Sequence, residues 1–400
     1  MTKLILPLTS LLFAASANAQ TSWTIVPSGT TQDLNAMEYN YMVGDGGTLL
    51  TSADNGSTWT LLNTNTPNDL FSFISCGSGC FYFCGDTGLV ARGTSNGLVV
   101  EDHAIAGYDL PLWNVQIQGT DQPFVVGDSG YFAKSFNFGT VFTQYPTGTE
   151  EHLYGLTGFA VPYRIAVGAN GTIILSNDLG LTWVPISSGT NADLRDVHTL
   201  QSASAIAVGT NGTILRSEIA SNGQVWSVIS SPVTADLNAV FRDGSSGAIM
   251  AVGDGGVILR SLDDGLTWTQ LISGSNQDLY DVFPWFGAGW FAIGANGTIL
   301  RSTDGGGSGV GIGELNGSLV IIGPNPTRDH ITIQWNGSSN AVANIQVLDL
   351  LGKVLWSDRA SLAGPFVVDL SEQATGAYFI RVTPVDEPAV VVRVQKVDHE

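Results

Sequence analysis

Seven glycines recur through this chain at nearly even intervals: Gly44, Gly85, Gly127, Gly168, Gly209, Gly253 and Gly294. Successive spacings are 41, 42, 41, 41, 44 and 41 residues. A period near 40 means one supersecondary unit repeated, each too small to bury its own faces alone. The fullest copy runs from Val252 to Trp268. A short apolar strand reaches the glycine, a glycine-rich turn follows, and a strand of the type Gly-Thr-Ile-Leu-Arg-Ser leads to a second turn. The last strand starts at an aromatic residue: Trp59, Phe142, Trp183, Trp226 or Trp268. Turns of the form Gly-Asp-Gly-Gly or Gly-x-Asn-Gly supply the positive φ that tight hairpins need. Each unit opens with an apolar strand of its own, so it holds four short strands, the content of a propeller blade. The expected fold is all-β, a seven-bladed β-propeller.

The opening pairs are Asp33-Leu34, Asp69-Leu70, Asp109-Leu110, His152-Leu153, Asp193-Leu194, Asp236-Leu237 and Asp278-Leu279. The seventh unit breaks off after Asp304 without an aromatic strand, whereas the N-terminal side has a spare one at Trp23. The economical reading is that Trp23's strand completes blade seven and closes the ring, which removes exposed sheet edges.

Three units carry Ser-x-Asp-x-Gly-x-Thr-Trp in full, with Asp54, Asp178 and Asp263 at the acidic position. The carboxylate can accept backbone N–H groups across the turn, glycine permits the bend, and the indole packs between sheets. This box resembles the Asp-box of bacterial neuraminidase-type (BNR) repeats. The fuller pattern of Asp-Leu opening, Val-Gly-x-x-Gly-Thr-Ile-Leu-Arg-Ser and box resembles the photosystem II stability and assembly factor family, a seven-bladed propeller. The resemblance spans roughly residues 20–305 and implies an architecture; it does not imply a photosynthetic role.

The start of the chain reads as a signal peptide over residues 1–19: Lys3, an apolar run from Leu4 to Ala15, then Ala17-Asn18-Ala19. No other stretch is long and apolar enough to suggest a transmembrane segment. The propeller occupies residues 20–304 in this reading, and a Gly-rich linker covers 305–318. Residues 319–400 change character and alternate as short strands, which predicts a small antiparallel β-sandwich. Their landmarks are Pro324, Asn325, Pro326, Gly352, Lys353, Gly376, Tyr378, Arg381 and Lys396. In this order they resemble the C-terminal sorting domain of the type IX secretion system of Bacteroidetes. That resemblance implies the secretion machinery as a partner and export across both membranes, to the cell surface or the medium.

The chain has a net charge of −20, and residues 20–308 hold 8 Lys and Arg against 25 Asp and Glu. Such acidity excludes nucleic acid as a partner, because phosphate binding needs a basic surface. A neuraminidase-like site would need arginines gathered on one carboxylate. Arg92, Arg216, Arg260 and Arg301 instead share one repeat position and belong to different blades, where each is expected to brace its own blade. No catalytic residue, cofactor or metal set stands out. Cys76 and Cys80 flank a short turn and are expected to form a disulfide, with Cys84 a free, buried thiol. Trp113, Trp285 and Trp290 either stack on sugars or pack between blades.

Function is therefore expected to be binding of an extracellular protein or glycan, with a neuraminidase-like glycoside hydrolase as the alternative. The residues before each opening leucine form a candidate channel-mouth ring of Asp33, Asp69, Asp109, His152, Asp193, Asp236 and Asp278. Two accounts compete. Each side chain caps the turn into its own strand, or together they focus negative potential on a cation or basic segment.

Overall fold

The computed structural model describes residues 23–303, 305 and 320–396, apart from stretches at 77–79, 95–100, 103–104, 106, 120–121, 159–161, 201–203, 219–220, 286, 324–328, 336–341, 349–352, 362–365 and 385–389. The expected signal peptide, nearly all of the linker, and Pro324, Asn325, Pro326 and Gly352 lie outside the described residues.

Seven four-stranded antiparallel sheets make up the propeller. Blade one runs from inside outward through Leu34–Glu38, Tyr41–Gly44, Thr48–Thr51 and Thr60–Leu62. The inner strands of blades two to seven are Leu70–Ser75, Leu112–Gln118, Leu153–Thr157, Leu194–Thr199, Leu237–Arg242 and Leu279–Trp285. Each lies beside the next around the axis, and that of blade seven lies beside that of blade one. Blade seven takes its outermost strand, Thr24–Ile25, from the start of the propeller, with Thr24 opposite Arg301 and Ile25 opposite Leu300. Trp23 sits almost fully buried among Met250, Leu279, Val282 and Trp290, between blades six and seven.

The anchoring glycines have a steric cause. The backbone at Gly44 is extended, and a Cβ there would lie 1.9 Å from the carbonyl oxygen of Asp33. The same close approach recurs at the other anchors. Between the second and third strands, two consecutive residues per turn take positive φ, the second always glycine, as in Asn170, Asn211 and Asn296 at 53°, 57° and 55° followed by Gly171, Gly212 and Gly297 at 70°, 68° and 68°. Asparagine tolerates that conformation, so the Asn-Gly-Thr triplets belong to the turn.

The core is a chain of apolar layers between neighbouring blades, for example Leu34, Met37, Leu50 and Trp59 of blade one against Phe291 and Ile293 of blade seven. The C-terminal part is an antiparallel sandwich. One sheet runs Val320–Gly323, His330–Trp335, Phe366–Asp369; the other runs Val354–Ser361, Val342–Leu348, Gly376–Pro384, Val390–Lys396. Ile331, Ile345, Val347, Val368 and Ile380 fill its core. Among the described residues no helix is long and apolar enough to cross a membrane.

Candidate functional site

The opening leucines pair with the anchoring glycines, Leu34 with Gly44 and Leu194 with Gly209, so the residues around them cluster at one axial end, here the upper end. Blade three corrects the sequence reading. Its paired leucine is Leu112, fully buried and opposite Gly127, while Leu110 is 40% exposed. In the other blades the residue before the leucine accepts a backbone bond at its carbonyl, as Asp33 does from Asp45. In blade three that acceptor is Pro111, bonded by Asp128. Asp109 is exposed and stands two residues upstream of the ring position. The ring is therefore Asp33, Asp69, Pro111, His152, Asp193, Asp236 and Asp278.

The five aspartates do cap turns, but the turn is the preceding blade's, not their own strand's. Asp69 Oδ1 accepts the Gly46 N–H at 2.8 Å, and Asp193, Asp236 and Asp278 accept from Asn170, Asn211 and Gly255 at 2.8, 2.9 and 2.7 Å. Asp33 accepts from Asn296 at 2.9 Å across the ring closure. The first of the two positive-φ residues points its N–H outward, with no strand partner to take it, and a carboxylate of the next blade supplies the acceptor. His152 departs for a chemical reason. Its Nδ1 lies 2.7 Å from Asp128 Oδ1 and 3.4 Å from the Ser129 nitrogen. A nitrogen donating to the carboxylate cannot accept from Ser129, so the shorter contact governs.

A second set of latches joins blades at the lower end, where the Ser-x-Asp-x-Gly-x-Thr-Trp turns lie. Asp54 Oδ1 accepts the Ser52 hydroxyl and the Thr58 N–H at 2.9 and 2.8 Å, while Oδ2 accepts the Thr58 hydroxyl. The Thr58 hydroxyl and amide push the Asp54 carboxyl down to about 2. Asp178 and Asp263 repeat the geometry. The arginines expected to brace their own blades mainly reach the next one. Arg216 Nε donates to the Asp264 carbonyl, Arg301 Nη1 to the Ser57 hydroxyl, Arg260 Nη1 to the Gly305 carbonyl, and Arg92 lies over the Phe138 ring. Arg301 Nε does keep a bond in its own blade, to the Ala288 carbonyl. These four arginines hold four different turns and converge on no common point.

The residue after each leucine carries the variation. It is Asn35, Phe71, Trp113, Tyr154, Arg195, Asn238 and Tyr280 in blades one to seven. Asn35 and Asn238 each donate to an aspartate of their own turn, Asp45 or Asp254, and to a carbonyl of the next blade, Leu70 or Leu279. Arg195 pairs with Asp236 at 2.8 Å. Tyr280 directs its hydroxyl to Asp33. Blades two to four instead form an aromatic arc. Phe71 stacks on Trp113 at 4.7 Å between centroids, and Trp113 meets Tyr154 edge-on at 5.8 Å. All three are half-buried. Trp113 Nε1 donates to Asp128 Oδ1 at 2.7 Å. Of the other indoles, Trp290 is buried and Trp285 packs on Trp59 and Phe291.

Sequence reading missed a deeper set on the inner strands. An inner strand has no neighbour on its axial side, so its free N–H groups need side-chain acceptors. Asp281 Oδ2 takes the Met37 N–H at 2.7 Å, Asp196 Oδ2 takes that of Val240 at 2.8 Å, and Glu38 takes that of Ser75. Burial pushes these carboxyls up, Asp281 to about 8, Glu38 to about 7 and Asp196 to about 6. His198, its ring tilted against that of Phe241 with centroids 4.2 Å apart, is pushed down to about 4 by burial and by Arg242. For Asp196 and Asp281 the available signal was an acidic residue two places after the opening leucine, in a strand packed on both faces; Glu38 stands four places after Leu34, at the far end of its strand.

A disulfide joins Cys76 to Cys80, with Cα atoms 5.3 Å apart, and Cys84 is a buried thiol. In the tail, Lys396 is buried and its Nζ donates to the carbonyls of Leu370, Ser371 and Gln373. Tyr378 is likewise buried, with its hydroxyl on the Ala374 carbonyl, and Arg381 is half-buried. Gly376 faces Lys396 across the two last strands, and Lys353 is exposed.

Comparison with known proteins agrees with both halves of the chain. The solved structure of YCF48 bound to D1 peptide matches with a TM-score of 0.60 and 17% identity, over 70% of this chain and 96% of that one. YCF48 from Cyanidioschyzon merolae matches with a TM-score of 0.56 and 20% identity, over 70% and 98%. The WD40 β-propeller domain of Doa1 matches at 0.59 and 12%, over 71% and 97%. At these identities the likeness is one of fold. No curated protein sequence matches significantly. Residues 322–394 match the family described as the secretion system C-terminal sorting domain. The chain is thus a β-propeller joined to a C-terminal sorting domain that addresses it for type IX export, to the cell surface or beyond.

Proposed function

We propose that the exported propeller is a binding module, and that its upper end receives an extracellular partner. The observation that carries this reading is the aromatic arc of Phe71, Trp113 and Tyr154. It occupies a position where the repeat needs nothing apolar, since Asn35 and Asn238 serve there by bonding. Three half-buried rings on consecutive blades form a surface suited to a ligand, which fold alone would not supply. The YCF48 structure compared above is a complex with a D1 peptide, one instance of this fold holding a polypeptide. Hydrolysis gains no support from the arginines, which are engaged on separate blades.

The test is a panel of glycans and peptides measured for binding and for cleavage, against wild type and Trp113→Ala. The reading expects a ligand whose binding falls by about tenfold in the variant, the worth of one stacked aromatic contact, with no product released. Equal binding by both proteins would contradict it, as would turnover of any glycan.

A further inference from the structure

The arc and its surroundings narrow the class of partner, given that the upper end is the binding face. In blades one and six the turn aspartate is satisfied by an asparagine, Asn35 for Asp45 and Asn238 for Asp254. In blade three Trp113 and His152 both reach Asp128. Blade two has Phe71 at that position, which has no donor to offer. Asp86 Oδ1 is buried there and meets no hydrogen-bond partner among the described residues. Burial and the neighbouring Asp69 charge push the Asp86 carboxyl up, which places Asp69 close by. By the repeat's equivalence, which sets Asn35 against Asp45 and Asn238 against Asp254, the orphaned oxygen belongs to the turn that the Phe71 position serves, at the same end as the Phe71–Trp113 stack.

A glycan hydroxyl could satisfy one oxygen, but it would leave the surrounding charge uncompensated. Asp69, Asp86, Asp128 and Asp193 all stand at this end on blades two to five. Arg195 is already committed to Asp236. A cationic side chain meets both needs. Its N–H groups pair with the half-buried Asp86 carboxylate, and its positive charge is favoured over the ring faces and by the acidic rim.

We propose that the upper end on blades two to four takes a basic, arginine- or lysine-bearing polypeptide segment, with one cationic side chain seated between Asp86 and the Phe71–Trp113 stack. This rests on the binding reading above and assigns its partner's chemistry.

The probe is a fluorescein-labelled peptide of alternating arginine and glycine, followed by fluorescence anisotropy with the full mature chain. Its glutamate–glycine counterpart and neutral oligosaccharides serve as alternatives. Phe71→Ala and Asp86→Asn remove the two halves of the seat; Asp86→Asn preserves shape and guards against misfolding. Leu61→Ser alters an exposed outer-strand residue and is the control. Binding of the basic peptide is expected to weaken by about tenfold in each seat variant, to stay unchanged in the control, and to weaken with salt. Failure of the basic peptide to bind overturns the proposal, as does unchanged binding in both seat variants. A neutral oligosaccharide binding in a Trp113-dependent way would also overturn it while leaving the binding reading intact. Absence of any ligand at this end would remove both.

Discussion

Asp33 Oδ1 accepts the backbone N–H of Asn296 at 2.9 Å, joining residues 263 positions apart. It is the same latch that joins the other aspartate-bearing blades, applied at the one junction the chain does not connect directly. The strand Thr24–Ile25 and the Arg301–Ser57 bond reinforce that junction. Asp33→Ala should lose about 1 kcal/mol, as for other capping residues, while Asp33→Asn should stay near wild type. Equilibrium denaturation measures both. Deleting residues 23–29 should do far more, because it bares the edge of Thr298–Ser302 and empties the Trp23 pocket. An unchanged melting temperature and solubility in the deletion would refute the closure.

The cysteines make a separate test. Native alkylation should modify none of the three, and alkylation after unfolding without reductant should modify Cys84 alone. Burial pushes the Cys84 thiol up, which further suppresses its reactivity. Peptide mass spectrometry reads the result, and three alkylated cysteines would contradict the pairing.

Stability should fall on both sides of a mildly acidic optimum. Asp281, Glu38 and Asp196 hold protons more tightly folded than unfolded. Their contribution is full below the ordinary carboxylate range near 4 and is lost as pH rises through about 6, 7 and 8. His198 has the opposite sense: its contribution is present above about 6.5 and is lost as pH falls toward 4. Melting temperature should therefore decline from pH 6 to 9. Asp281→Asn, which keeps an acceptor for the Met37 N–H, should flatten that decline. An identical slope in the variant would show that Asp281 does not titrate there.

In the tail, the Lys396 ammonium is internal and engaged with three carbonyls, so it organises the segment from Leu370 to Gln373. Lys396→Met keeps the apolar stem but strands those carbonyls, at a cost of about 1–3 kcal/mol. Hydrogen exchange near residues 370–373 should accelerate in the full chain, and export should fall with it. Normal exchange with failed export would instead mean that the machinery reads the lysine itself.

The repeat, the number of blades and the closing strand were legible because steric demands recur at fixed spacing. Gly44 must be glycine against the Asp33 carbonyl, and six more positions repeat the demand. Blade three was misread because Asp109-Leu110 imitates the opening pair, and only strand pairing reveals that Leu112 faces Gly127. The latches were hidden for another reason. Asp193 and Asn170 are 23 residues apart on different blades, and no local pattern states that the acceptor serves its neighbour. The aromatic arc was half legible: Trp113 stood out, but its stacking on Phe71 depends on the corrected register.

The central claim is that the upper end is the functional face. Differential hydrogen exchange, with and without the tightest-binding ligand of the panel, tests it most directly. The account predicts slowed exchange around residues 69–71, 86–88, 112–114 and 152–155. Protection confined to the lower turns at Asp54, Asp178 and Asp263, or absent from the upper end, would contradict it.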